Sequence, residues 1–148
     1  MTDRGFPFVN LFIVRSDPSV KSREICHDGR GSDGRKAAEP NMDLVFINCA
    51  HGMYGDLDDY ARAVEASMNN IIHQTGQQGG NWYNKAPEGT AVCYGHGRCA
   101  MDITVQDCSG CLEGVCNYMI QRCKNSRGVH CKVVSCEFRY EEYAFDDG

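Results

Sequence analysis

Cys99-AMDITVQD-Cys108-SG-Cys111 is the stretch of this sequence that most constrains its fold. Its cysteines have the spacing C-x8-C-x2-C, and Cys123 follows twelve residues later. Apolar residues recur about every 3.6 positions up to Cys123, which predicts one amphipathic helix with sulfurs on its buried side. The apolar positions are Cys108, Cys111, Leu112, Val115, Met119 and Cys123.

Residues on both sides of this helix define its boundaries. Thr104 with Asp107 three residues later predicts a capping-box start. After the helix, residues 128–140 are rich in valine, phenylalanine and tyrosine and include Cys136. This composition predicts strand.

The preceding part of the chain predicts a first strand and a first helix. Leu44–Cys49 (LVFINC) is a short apolar run typical of a strand. Gly55 and Asp56 open a helix whose first turn contains Asp59, and Gly76 is the expected C-cap. The apolar positions at helical spacing are Leu57, Tyr60, Val64, Met68 and Ile71 or Ile72.

The remaining segments predict further strands. Residues 82–83 and 90–94 favour two strands around the turn at 87–89, and residues 128–145 favour one or two more. The fold class is therefore α+β, with two helices packed on one antiparallel sheet of about five strands and stapled by disulfides.

Composition indicates a disulfide scaffold in an oxidising compartment. Nine of the ten cysteines lie between positions 49 and 136. We therefore expect a secreted, extracellular protein, although residues 6–14 are too short an apolar run to make a signal peptide evident. No run is long enough for a membrane span. The net charge of −5 argues against nucleic acid as a partner.

The chain divides at about residue 40. Residues 27–40 are charged, rich in glycine and almost devoid of apolar side chains. Such a segment cannot bury enough surface to offset its ordering entropy, so residues 1–40 are predicted to be a flexible tail or linker. Residues 41–148 form the predicted domain.

The C-x8-C-x2-C spacing, followed by VVSCEFRYEE, resembles the plant stress-antifungal (ginkbilobin-type) cysteine-rich domain. The resemblance spans residues 44–145. It implies three disulfides, which join Cys49 to Cys123, Cys99 to Cys108, and Cys111 to Cys136.

Four cysteines depart from that minimal pattern. Cys116 shares a helix face with Cys123, and Cys131 shares a strand face with Val129 and Val133. On this basis we pair Cys116 with Cys131.

The two cysteines then left over are Cys26 and Cys93, which we also pair. The number of possible pairings is too large for sequence alone to decide between them.

Two other cysteine chemistries are considered. Cys108-SG-Cys111 could be a redox CxxC, but no βαβ pattern surrounds it. A zinc site could use Cys108, Cys111 and two of Cys116, His130 and Cys131, but the spacing fits no standard metal module. No metal, no cofactor and no catalytic constellation are therefore predicted, so the protein is not expected to be an enzyme.

The resemblance also implies a mannose-binding trio of Asn, Arg and Glu. By position these fall on Ala50, His130 and Glu141, so that only the glutamate is kept. A carboxylate accepts bonds from sugar hydroxyls, whereas amide and guanidinium groups donate them. His130 alternates with Val129 and Cys131 and is expected to be exposed.

Two functions follow as hypotheses. The first is a secreted plant defence protein with antifungal, lectin-like activity, whose partner is a mannose-type glycan of a fungal surface. The second is an extracellular protein-interaction module for apoplastic signalling, whose partner is a protein ectodomain and which binds no sugar. A third reading, an intracellular zinc or redox protein, predicts reduced thiols instead of disulfides.

Overall fold

A computed structural model describes residues 39–146 of this protein. The elements in chain order are β1 Leu44–Cys49, α1 Asp59–Gln74, β2 Asn81–Glu88, β3 Ala91–Cys99, α2 Val105–Arg122, β4 Val129–Val133 and β5 Cys136–Glu141. The strands form one antiparallel sheet in the order β1-β4-β5-β3-β2. Both helices pack on one face of this sheet, so the predicted α+β class with two helices and five strands is confirmed.

Helix α1 begins later than its apolar pattern suggests. Leu57 is 90% exposed and lies before the first helical residue, so its predicted place on the buried face is wrong. Tyr60 is the first apolar residue that the helix buries. At the other end Thr75, rather than Gly76, is the C-cap, and its hydroxyl donates to the Ile71 carbonyl over 2.7 Å.

Two glycines of β3 allow α1 to lie directly on the sheet. A Cβ on Gly95 would overlap the Ser67 hydroxyl, and a Cβ on Gly97 would overlap Ile71 and Thr75. The alternating glycines therefore serve close packing rather than turn formation.

Helix α2 follows the sequence pattern closely. Thr104 is its N-cap, and the Thr104 hydroxyl accepts a 3.0 Å hydrogen bond from the Asp107 backbone N–H. This bond satisfies one donor of the first turn. The residues buried by α2 are Cys108, Cys111, Leu112, Val115, Cys116 and Met119.

The carboxyl-terminal part of the chain makes two strands, of the one or two predicted there. A turn at Val134 and Ser135 separates β4 from β5. The predicted strand region reached residue 145, but β5 ends at Glu141. The residues after it turn back across the sheet.

Three disulfides join α2 to the sheet. They are Cys49–Cys123, Cys99–Cys108 and Cys111–Cys136, as the family resemblance implies. Each bond has one sulfur in α2 or at its C-cap, Cys123. The helix is thereby tied to β1, β3 and β5.

The pairing of Cys116 with Cys131 is wrong, because the two residues do not form a disulfide. Periodicity assigns each sulfur to a face but does not fix its position along the element, whereas a disulfide needs Cα atoms within about 7 Å of each other. Cys131 is a buried thiol, and so is Cys93. The predicted partner of Cys93, Cys26, lies outside the described residues, as does almost all of the predicted tail at 1–40.

Candidate functional site

The face of the sheet that points away from the helices carries nearly all of the sheet's polar side chains. Phe138 and Tyr140 of β5 are buried under the helices, whereas Glu137, Arg139 and Glu141 alternate with them and point the other way. We call this side the outer face. Register places the following residues on it: Phe46, Asn48, Asn81, Tyr83, Lys85, Tyr94, His96, Arg98, His130, Lys132, Glu137, Arg139 and Glu141.

Ala50 lies just beyond β1 and contributes only its backbone. The Ala50 N–H donates to the Gly128 carbonyl over 2.8 Å, and the Ala50 carbonyl accepts from the Ser126 hydroxyl over 2.9 Å. Its exposed methyl group can neither donate nor accept a hydrogen bond. The position therefore offers no side-chain contact to a sugar hydroxyl.

His130 is half-buried rather than exposed. Its Nε2 lies 2.7 Å from Oε2 of Glu137, and its ring packs edge-on against Phe46 at 4.9 Å between centroids. The expected exposure of His130 is wrong because aromatic and carboxylate neighbours on adjacent strands cover the imidazole. The Nε2 atom is thus already engaged within the protein.

Glu141 is also committed to an internal partner. One of its carboxylate oxygens accepts a 2.9 Å hydrogen bond from Nε of Arg139, and the Glu141 side chain is only 12% exposed. The other oxygen packs against Gly128, where a Cβ would leave no room for it. This carboxylate is therefore an ion-paired, largely enclosed group.

The structure brings the three predicted positions into one neighbourhood. Ala50 bonds to the Gly128 backbone, Glu141 packs on Gly128, and His130 follows two residues later in β4. Their side chains do not form a donor–acceptor trio, because one lacks polar atoms and two are paired elsewhere.

Arg139 is the residue that sequence reasoning missed. It lies directly opposite His130 in the β4–β5 register and bonds Glu141. Strict alternation of polar and apolar residues along β5 was the signal that could have found it. A guanidinium beside a carboxylate supplies donors and an acceptor within one small area.

The buried thiols of Cys93 and Cys131 are not poised for chemistry. Burial raises the pKa of Cys93 to about 12 and that of Cys131 to about 11, so both remain protonated at neutral pH. Burial likewise raises the pKa of Tyr60 and Tyr140. None of these groups is a candidate nucleophile.

The redox and zinc alternatives both need Cys108 and Cys111, and both of these cysteines are in disulfides. Cys108 and Cys111 are bonded to different partners, so they do not form a redox pair with each other. Across residues 39–146, no group of three or more His, Cys, Asp or Glu side chains is arranged to hold a metal ion. In the same range, neither helix has the length and apolar character that a membrane crossing requires.

Comparison with known proteins agrees with the cysteine framework. The family model described as salt stress response/antifungal matches residues 48–143. This chain belongs to that family. The match runs from the end of β1 to beyond the end of β5, and so covers both helices and the other four strands.

Individual members of the salt stress response/antifungal family are similar over shorter stretches. Antifungal protein ginkbilobin-2 of Ginkgo biloba is 32% identical over 57 residues, which are 38% of this chain and 42% of that protein. Cysteine-rich receptor-like protein kinase 25 of Arabidopsis thaliana is 46% identical over 48 residues, which are 32% of this chain and 7% of the kinase. The chain therefore spans less than half the length of either relative.

Solved structures show the same fold. The tandem DUF26 ectodomain of the Arabidopsis thaliana cysteine-rich receptor-like protein PDLP5 matches with a TM-score of 0.64 at 20% identity, over 70% of this chain and 51% of that one. The corresponding ectodomain of PDLP8 matches with a TM-score of 0.59 at 16% identity, over 72% of this chain and 48% of that one. At these identities the likeness establishes architecture alone.

Proposed function

We propose that this protein is a secreted, non-enzymatic recognition domain of plant defence and stress signalling, and that it binds a protein ectodomain or peptide through its outer face. Secretion is supported by three disulfides, which need an oxidising compartment, and by relatives named as secretory proteins and ectodomains. The family description and ginkbilobin-2 support a role in defence and stress.

The observation that favours a protein partner is that the three positions assigned to mannose binding by the family resemblance offer no free polar side-chain group in a sugar-binding arrangement. Ala50 has no polar side-chain atom, Nε2 of His130 is held by Glu137, and Glu141 is held by Arg139. A site that must first break two internal contacts is poorly prepared for a small neutral ligand. The charged outer face as a whole offers a larger surface to a macromolecule.

A mannose-type glycan of a fungal surface is the second candidate. Arg139 favours it, because its guanidinium lies beside the Glu141 carboxylate and opposite His130. Arg139 would then supply donors that His130 cannot supply in the same geometry. The lectin-like, antifungal activity would depend on the Arg139–Glu141 pair.

A glycan array with the oxidised protein separates the two candidates. The protein-partner proposal expects no specific signal. Mannose-specific binding that is lost in Glu141→Ala but kept in Glu65→Ala, a change at an exposed carboxylate of α1, would instead establish the glycan function. Inhibition of hyphal growth by the same three proteins then tests whether sugar binding and antifungal activity go together.

Affinity capture from apoplastic fluid tests the protein partner directly. Wild-type protein is compared with Lys85→Glu/Lys132→Glu, which reverses two outer-face charges, and with Lys124→Glu, an exposed position after α2. The proposal expects a protein retained by the wild type and by Lys124→Glu but not by the double variant. Equal retention by all three would remove the outer face as the contact surface.

A further inference from the structure

The segment that follows β5 returns across the outer face and inserts one aromatic side chain. The Phe145 ring packs on the Tyr83 ring at 5.0 Å between centroids, and Cζ of Arg139 lies 4.1 Å from the Phe145 ring centroid. The backbone is held as well. The Phe145 N–H donates to the Tyr83 hydroxyl over 2.8 Å, and that hydroxyl donates to the Phe145 carbonyl.

His96 lies beside this contact on the sheet. In register His96 lies between Tyr83 of β2 and Arg139 of β5, the two residues that Phe145 touches. It is only 5% exposed although it belongs to the outer face, and its Nε2 lies 2.6 Å from Oδ1 of Asn81. We call the surface made by Tyr83, His96 and Arg139 the aromatic slot.

Among residues 142–146, Phe145 is the side chain that is partly buried. Residues 142–144 and Asp146 are exposed, with Tyr143 at 55%, whereas Phe145 is partly buried. The segment's ion pair, from Arg127 to Glu142 at 2.9 Å, is solvent-accessible and therefore weak. A segment held by one partly buried ring, two hydrogen bonds to the Tyr83 hydroxyl and an exposed ion pair opens at low free-energy cost compared with the disulfide-tied core.

The charges around the aromatic slot differ in sign from those of the docked segment. The docked segment carries Glu142 and Asp146, and the chain continues with a further aspartate. The outer face around the slot carries four cationic side chains and two carboxylates. The cations are Lys85, Arg98, Lys132 and Arg139, and the carboxylates are Glu137 and Glu141. An acidic peptide is therefore favoured over a basic one.

We propose that the aromatic slot is a recognition site for an acidic, phenylalanine-containing peptide segment of a partner protein, and that Phe145 occupies the slot in cis until such a segment displaces it. The aromatic ring packs against Tyr83 and the Arg139 guanidinium, and the peptide backbone uses both hydrogen-bonding functions of the Tyr83 hydroxyl. This inference rests on the proposed protein-recognition function and names the chemistry of the partner segment.

The test uses the chain's own segment as the probe. A fluorescein-labelled peptide EYAFDDG, the sequence of residues 142–148, is titrated with Phe145→Ala protein, and binding is followed by anisotropy. We expect saturable binding to Phe145→Ala and at least tenfold weaker binding to the wild type, whose slot is filled. Tyr143→Ala is the matched control, because it removes an exposed ring and should behave like the wild type.

Specificity comes from a second peptide and a second protein variant. The peptide EYAADDG should not bind, and Tyr83→Ala/Phe145→Ala should lose the binding that Phe145→Ala gains. If Phe145→Ala does not fold, a chain that ends at Ala144 leaves β5 complete and is used with the same expectations.

Three results would overturn the inference. They are no saturable binding to Phe145→Ala, equal binding to Phe145→Ala and the wild type, or equal binding of the two peptides. None of these changes the outcome of the capture experiment with Lys85→Glu/Lys132→Glu. Failure of the slot is therefore distinguishable from failure of the proposed function.

Discussion

The carboxylate of Glu141 fills the space that the missing side chain of Gly128 leaves open. A Cβ at position 128 would meet one Glu141 oxygen and would also crowd the Tyr140 carbonyl oxygen at 3.3 Å. The other Glu141 oxygen accepts a hydrogen bond from Arg139. The absence of a side chain at Gly128, just before β4, therefore leaves the room in which the Arg139–Glu141 ion pair of β5 forms.

Gly128→Ala should therefore destabilise the protein by about 1–3 kcal/mol, because an added methyl group in a filled site forces neighbours to move. The measurement is urea unfolding of the oxidised protein. Gly110→Ala is the control, since that glycine lies inside α2 with open space around it. Alanine there should stabilise by roughly 0.5–1 kcal/mol, and equal effects of the two changes would refute this account of Gly128.

Gly97→Ala should weaken the packing of α1 on the sheet. The new methyl group would overlap Ile71 and Thr75, both fully buried, and the expected cost is about 1–3 kcal/mol. Hydrogen exchange should accelerate in α1 while α2, which the disulfides hold, keeps its protection. Unchanged protection of α1 would show that the helix can shift without loss of packing.

The disulfides should differ in their contribution to stability. Cys49–Cys123 closes a loop with a sequence separation of 74, whereas Cys99–Cys108 spans only 9. On the chain-entropy estimate, Cys49→Ala/Cys123→Ala should cost about 4.5 kcal/mol and Cys99→Ala/Cys108→Ala about 2.5 kcal/mol. Thermal unfolding of the two double variants checks the order, and the reverse order would mean that local strain outweighs loop entropy.

The buried thiols should resist alkylation in the folded protein. They should also lower its free energy of unfolding at alkaline pH. Below pH 9 the Cys93 thiol is protonated in both states, whereas between pH 9 and about 12 it ionises only in the unfolded chain. The unfolded state then binds fewer protons, so the free energy of unfolding falls as pH rises through this window.

Maleimide labelling at pH 8 with and without urea, and urea unfolding from pH 8 to pH 10, measure these two effects. Cys93→Ala should show a shallower loss of stability with pH than the wild type. Rapid labelling of Cys93 in the native protein would contradict its burial.

The sequence carried the information for α2 because three local signals agree there. Helical periodicity, the Thr104 cap and the cysteine spacing all place the same element at the same residues. Leu57 shows the limit of periodicity, since its spacing fits α1 but the chain has not yet entered the helix. The predicted Cys116–Cys131 bond failed for a related reason, because a shared face does not set a distance.

The candidate site was less predictable because it depends on register between strands. Arg139 bonds Glu141 within β5 and lies opposite His130 of β4. The first contact can be read from one strand, whereas the second depends on how β4 and β5 pair. The return of Phe145 to Tyr83 joins positions 62 residues apart and has no periodic signature at all. Such contacts are set by the assembled tertiary structure rather than by local pattern.

Each of the three disulfides within residues 39–146 has a sulfur in α2 or at its C-cap, and this arrangement has a consequence for biosynthesis. Cys49 is synthesised 74 residues before its partner Cys123, and Cys111 is synthesised 25 residues before its partner Cys136. In the interval, cysteines that have already been synthesised can form disulfides with one another before their native partners exist. Such early disulfides need not be the native ones. Maturation of this small domain is thus expected to depend on a thiol–disulfide isomerase that reshuffles those bonds once the last strand has been synthesised.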